Sequence, residues 1–155
     1  MYFINKIKEK YVNENIIMFV DMDGVIAEYD MNRPYDFKNK RPVMTNINTL
    51  KEISLLKNIE LHILSICRED YQIKDKQDWL NKYASFFLKN NRVIISKESN
   101  PDKSSKELKY EYLKNYLKNN INKKVILIDD DNEILKFISK NIKDIVVYQD
   151  STLID

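Results

Sequence analysis

The chain has 155 residues, 43% hydrophobic and 32% charged, which suits one folded domain and excludes a wholly disordered chain. Its 26 basic residues nearly match its 24 acidic ones, for a net charge of +2, so no electrostatic footprint for nucleic acid is indicated. No apolar run approaches the roughly 20 residues of a membrane span, Met1 to Tyr11 lacks the apolar stretch of a signal peptide, and the single cysteine, Cys67, forbids an internal disulfide, so the expected compartment is the reducing cytoplasm.

The first predicted element is a strand over Ile16–Val20, a short apolar run of the kind buried in a sheet. It runs straight into Asp21-Met22-Asp23-Gly24. Gly24 is the only glycine in the chain, so a local backbone requirement is expected there. The segment 25–44 fits neither helical nor strand periodicity and carries the turn-forming Asn32-Arg33-Pro34 and Arg41-Pro42. It reads as a loop or small hairpin standing over the end of the first strand. Tyr29, Arg33, Tyr35 and Phe37 in it suit either stacking on a base and gripping a phosphate, or packing within the hairpin.

A helix follows with Ile47, Leu50, Ile53 and Ser54 on one face and Thr45 or Asn46 as its cap. Leu61–Ile66 is the second strand and ends near Ser65. His62 lies mid-strand and reads as structural. Cys67 and Arg68 follow, with Arg68 a candidate contact for a substrate anion. The next helix shows Ile73, Leu80, Tyr83 and Ala84, with Trp79 expected to pack helix against sheet. Arg92–Ile95 is the third strand. After Asn100-Pro101 comes a helix marked by Leu108, Tyr112, Leu113 and Tyr116. The fourth strand, Val125–Ile128, ends in Asp129-Asp130-Asp131. A helix over Ile134, Leu135 and Ile138 and a fifth strand, Asp144–Tyr148, complete the chain. The apolar runs are nearly continuous, as in parallel strands covered on both sides. Alternation with helices predicts a single Rossmann-like α/β domain: a five-stranded, mostly parallel sheet with helices on both faces.

In such a sheet ligands bind at the carboxyl ends of the strands. Those ends here carry Asp21 and Asp23, Ser65, and Asp129 with Asp130. Carboxylates gathered in one pocket repel one another unless a cation is present. All-oxygen ligation favours a hard ion, and Mg2+ is the usual one where the substrate is a phosphate. Asp21 and Asp23 lie two apart on an extended segment, so one can attack phosphorus while the other handles a proton. Asp-x-Asp-Gly also opens calcium loops, but the downstream ligands of an EF-hand are absent. The milder reading of Asp130 to Asn132 is a cap for the helix beginning near Glu133.

Phe19-Val20-Asp21-Met22-Asp23-Gly24-Val25 resembles the first motif of the haloacid dehalogenase superfamily. Leu61-His62-Ile63-Leu64-Ser65 is similar to its second motif and Val125-Ile126-Leu127-Ile128-Asp129-Asp130 to its fourth. The resemblance implies a phosphatase in which Asp21 forms an aspartyl-phosphate. Asp23 would protonate the leaving group and then activate water. Ser65 would bind the phosphoryl group, and Asp21, Asp23, Asp129 and Asp130 would hold Mg2+; apart from the resemblance, Gly24 and Arg68 are further candidates for substrate binding. The third motif is a lysine. Lys97, Lys103, Lys106 and Lys109 all precede the fourth motif, and Lys109 is favoured because it interrupts the apolar stripe of its helix, where a charge needs a partner.

Among subfamilies the motifs look most like the 5'-nucleotidase group acting on deoxyribonucleotides, which implies a small phosphorylated substrate of nucleotide type. That group carries a helical cap after the first motif. Residues 25–44 leave room only for a minimal cap or hairpin flap, and a site so covered would also admit a larger phosphorylated substrate. Two rival readings are a binding or regulatory protein that keeps the fold without catalysis, and a receiver domain, which also carries strand-end acids and a lysine.

Overall fold

The computed structural model describes residues 2–154. Five strands, β1 (Ile16–Val20), β2 (Ile59–Cys67), β3 (Arg92–Ser96), β4 (Lys124–Asp129) and β5 (Ile145–Gln149), form one sheet in the order β3-β2-β1-β4-β5. Every pairing is parallel. The expected α/β fold is therefore found, with the sheet parallel throughout. All five predicted strands are present, with ends that differ by a few residues.

Five helices accompany them: α1 (Phe3–Lys10), α2 (Met44–Ile53), α3 (Tyr71–Tyr83), α4 (Ser105–Asn119) and α5 (Asn132–Asn141). None of the described helices is long and apolar enough to cross a membrane. The period-2 alternation of the strands divides the core in two. Ile16, Met18 and Val20 of β1, with Ile126 and Ile128 of β4, pack with α1, α2 and α3 on one face. Ile17 and Phe19, with Val125 and Leu127, pack under α4 and α5 on the other. The rings of His62, Tyr112 and Tyr116 meet Phe19 edge to face at 5.0, 5.8 and 5.1 Å, and this contact gives His62 the structural role expected of it.

Two local expectations need correction. Helix α2 begins at Met44, ahead of both proposed caps, and no side chain caps it. Asn46 is instead buried and donates to the Val25 carbonyl at 2.7 Å, tying the helix to the turn after β1. The buried stripe of α3 is Gln72, Lys76, Trp79 and Leu80, while Ile73 and Tyr83 are only partly covered. Trp79 packs against the flap as well as the core: its ring meets Phe37 at 5.6 Å and its Nε1 donates to the Lys40 carbonyl at 3.0 Å. Helix α1, which the sequence reading passed over, buries Phe3 and Ile7 on the α2 side of the sheet.

Candidate active site

Register assembles the site. β1 pairs with β4 so that Val20 lies opposite Ile128, and the Asp21 amide continues the ladder to the Ile128 carbonyl at 3.0 Å. Asp21 and Asp129 are thus delivered side by side. β2, on the other side of β1, brings Ser65 to the same edge. Asp21, Asp23, Lys109, Asp129 and Asp130 line one cavity of about 280 Å³.

The turn after β1 explains the lone glycine. Amides of Val25, Ile26 and Ala27 converge on the Met22 carbonyl at 3.0–3.2 Å, and Gly24 donates back to the Ala27 carbonyl at 2.8 Å. Gly24 takes a φ of +79°, a conformation disfavoured for residues with a Cβ. A Cβ there would also fall 1.9 Å from Asp130 Oδ2. Gly24 therefore acts by leaving room for the Asp130 carboxylate. Replacing it with alanine is expected to cost about 1–2 kcal/mol of stability from backbone strain alone. It should also push Asp130 out of the cluster, so chemical denaturation together with a Mg2+ titration checks both effects.

Lys109, one of four candidate lysines, is the one that reaches the acids. It is 2% exposed, with its ammonium 2.6 Å from Asp129 Oδ2 and 3.2 Å from Asp21 Oδ1. Burial lowers its pKa, but Asp21 and Asp129 outweigh burial and hold it charged, with its pKa above the ordinary value. Lys103 pairs with the exposed Glu111, and Lys106 lies over the Phe137 ring. Asp131 takes the capping role for α5, accepting from the amides of Glu133 and Ile134 at 2.9 and 3.3 Å. That frees Asp129 and Asp130 for the cavity.

Carboxylate oxygens of Asp21, Asp129 and Asp130 lie within 4.8 Å of one another. Burial raises the pKa of Asp21 well above the usual carboxylate range, and Asp129 adds to this, against the opposing pull of Lys109. Burial, and then the neighbouring Asp129, push Asp130 up to about 6. Carboxylates that resist ionising side by side are what an all-oxygen cation site looks like before it is filled, so the donor set fits Mg2+. A cation there competes with protons. Its affinity should begin to fall as pH drops below about 8, where Asp21 takes up a proton, and fall more steeply below about 6, where Asp130 follows, by roughly tenfold per pH unit for each proton displaced. Calorimetric titration with Mg2+ at pH 5, 6 and 7.5 reads this directly, and a pH-independent affinity would contradict it.

Asp23 lies apart from that triad, between two further lysines that the sequence reading missed. Lys76 of α3 is 2% exposed and donates to Asp23 Oδ2 at 3.0 Å, Ser65 Oγ at 2.7 Å and the Ile66 carbonyl at 3.1 Å. Lys40, 5% exposed, donates to Asp23 Oδ1. Burial pushes Asp23 up, but Lys76 and Lys40 together overcome it and hold the carboxyl below its ordinary value, ionised. Lys76 was detectable: four residues before Leu80, it breaks an apolar stripe as Lys109 does. Lys40 sits in an irregular segment with no period to interrupt.

The segment 25–44 closes over β1 as a compact loop rather than a hairpin. Isolated bridges pair Ala27 with Pro42 and with Asp23, and a 3-10 turn spans Phe37–Asn39. Phe37 is buried against Trp79, so it packs and is unavailable for stacking on a base. Tyr29 and Tyr35 are exposed. Arg68 is an exposed rim residue outside the acidic cavity. It lies 5.0 Å over the Tyr35 ring and donates to the Tyr35 hydroxyl.

The chain matches no known protein-family profile, and no curated protein resembles it in sequence. Among solved structures, a chain of the Pnkp1/Rnl/Hen1 complex superposes with a TM-score of 0.64 at 17% identity. The match covers 88% of this chain and 46% of that one, so this protein spans about half the length of its structural neighbour. At that identity the likeness establishes the α/β fold and nothing further.

Proposed function

We propose that the protein is a Mg2+-dependent phosphomonoester hydrolase of the haloacid dehalogenase type, working through an aspartyl-phosphate on Asp21. The observation that carries this reading is the joint placement of Asp21, Asp129 and Asp130 at the carboxyl edge of the sheet, with Lys109 paired to Asp21 and Asp129. With Asp23 included, four carboxylates face the three buried ammonium groups of Lys40, Lys76 and Lys109. Fully ionised, these groups carry a small negative excess, and a divalent ion that displaces their protons turns it into a small positive one, which suits a phosphoryl dianion. When bound, Mg2+ would be held by Asp21, Asp129 and Asp130 and would screen the phosphoryl charge from the attacking carboxylate.

The protein's own groups supply the rest. An Asp21 oxygen forms the new bond to phosphorus while the ester P–O bond breaks, and the leaving oxygen takes a proton from Asp23. In the second half Asp23, again ionised, draws a proton from a water whose oxygen attacks phosphorus, and Asp21 is restored as inorganic phosphate leaves. Ser65 and Lys76 are joined at 2.7 Å behind Asp23, and on this reading they would donate to the phosphoryl oxygens. A phosphoryl group drawing Lys76 to itself would leave Asp23 beside added negative charge. Both changes raise its proton affinity when a proton is wanted.

A nucleotide-type ester is the substrate class this reading favours. The cavity is small, the exposed Tyr29 ring lines it, and the exposed Tyr35 ring with Arg68 stands outside it, where a base and a neighbouring anion would lie. The test is phosphate release from p-nitrophenyl phosphate and a panel of nucleotides, with Mg2+ and with EDTA. Mg2+-dependent release supports the reading, and no release from any ester sinks it. A long-lived aspartyl-phosphate after treatment with acetyl phosphate would favour the receiver-domain alternative.

A further inference from the structure

We infer that Lys40 is a positioning residue for proton transfer: the flap loop sets the Asp23 carboxylate from one side while α3 sets it from the other. The inference rests on the phosphatase reading and extends it to Lys40, whose ammonium pairs with Asp23 and with none of Asp21, Asp129 or Asp130.

The geometry is specific. The two oxygens of Asp23 are divided between two cations, Oδ1 to Lys40 and Oδ2 to Lys76. One aromatic ring lies under both: the ammonium groups of Lys40 and Lys76 are 5.0 and 4.8 Å from the Phe37 centroid. Phe37 is itself wedged against Trp79, and the Trp79 indole holds the Lys40 main chain through its carbonyl at 3.0 Å. The Lys40 amide closes the 3-10 turn onto the Phe37 carbonyl at 3.2 Å. Lys40 is therefore fixed at both ends, by its backbone on α3 and by its ammonium on Asp23. Lys76 is needed at Ser65 as well, so once a phosphoryl group competes for it, Lys40 is the cation that still fixes Asp23.

Orientation matters most where the chemistry needs a proton delivered. Expelling an alkoxide requires proton transfer in the bond-breaking step, whereas p-nitrophenolate departs as a stable anion. The value of kcat/KM reports events up to release of the leaving group and is blind to later hydrolysis of the aspartyl-phosphate. Lys40→Met should therefore lower kcat/KM by about tenfold or more on an alkyl phosphate such as a nucleoside monophosphate. On p-nitrophenyl phosphate the loss should stay within about threefold. Lys40→Arg should recover part of the alkyl-ester rate, because it keeps a donor over Phe37.

If Lys40→Met does not fold by circular dichroism, Trp79→Phe provides the same test by removing only the indole anchor. It should show the same leaving-group dependence at smaller amplitude. Equal losses on the two esters, or no loss on either, overturn the inference while leaving the phosphatase reading intact. A wild-type protein inactive on both esters overturns both.

Discussion

Replacing Asp21 with Asn should reduce phosphate release by about 10⁴-fold or more while making the folded protein more stable at neutral pH. On the proposed reaction the loss of activity follows because an amide at that position has no anionic oxygen to offer phosphorus. The gain in stability has a separate cause. Burial disfavours the Asp21 anion more than Lys109 favours it, and Asp129 and Asp23 add repulsion, so its pKa in the folded state lies above the unfolded one. The folded state therefore holds the Asp21 proton more tightly than the unfolded chain does. Its stabilising contribution is complete below about pH 4, where both states are protonated, and is lost as pH rises toward the raised folded value. At pH 7.5 wild-type Asp21 is a cost that the neutral amide lacks. Melting temperatures of the two proteins should accordingly differ at pH 7.5 in EDTA and converge near pH 4. Adding Mg2+ should narrow the difference at neutral pH, because the ion stabilises the wild-type anion. A variant that melts below wild type at pH 7.5 would show that the Lys109 attraction, not burial, dominates this carboxylate.

Much of the site could be read from the chain because it is built on regular elements. Asp21 and Asp129 are the first polar residues after uninterrupted apolar strands, and a parallel register turns that sequence position into spatial proximity. Lys109 interrupts a helical apolar stripe, and the structure answers the interruption with two carboxylates. Lys76 interrupts α3 in the same way: it lies three residues after Ile73 and four before Leu80, on the stripe those residues mark, and the structure answers it with Asp23 and Ser65. The flap, by contrast, was opaque. Its conformation is set by long-range contacts, Asn46 to Val25, Trp79 to Lys40 and Gln72 to the Tyr35 carbonyl, none of which has a period. Phe37 and Tyr35 are only two residues apart, yet one is buried against Trp79 and the other stands at the rim with Arg68. Composition alone treats them as equivalent.

Lys109→Met should be the most destabilising of the lysine substitutions near the cluster, and the size of the loss should depend on what else neutralises the acids. Methionine roughly matches the volume of the lysine stem, so the deficit is electrostatic rather than a cavity. It leaves Asp129, fully buried, facing Asp21 and Asp130 without the cation that now lies between Asp21 and Asp129. Breaking a buried pair from one side costs about 3–5 kcal/mol, because the remaining charge stays desolvated. That cost should be full at pH 8 in EDTA. It should shrink as pH falls and the acids take up protons, and shrink again with millimolar Mg2+, which replaces the missing positive charge. Lys103→Met and Lys106→Met, which remove exposed or aromatic-stacked ammonium groups, should change stability by no more than about 0.5 kcal/mol under every condition. Urea denaturation of the three variants at pH 8 and pH 5, with and without Mg2+, separates these outcomes. A Lys109→Met protein as stable as wild type in EDTA at pH 8 would mean that the acids are already neutral at rest. The charge balance proposed for phosphoryl binding would then fail with it.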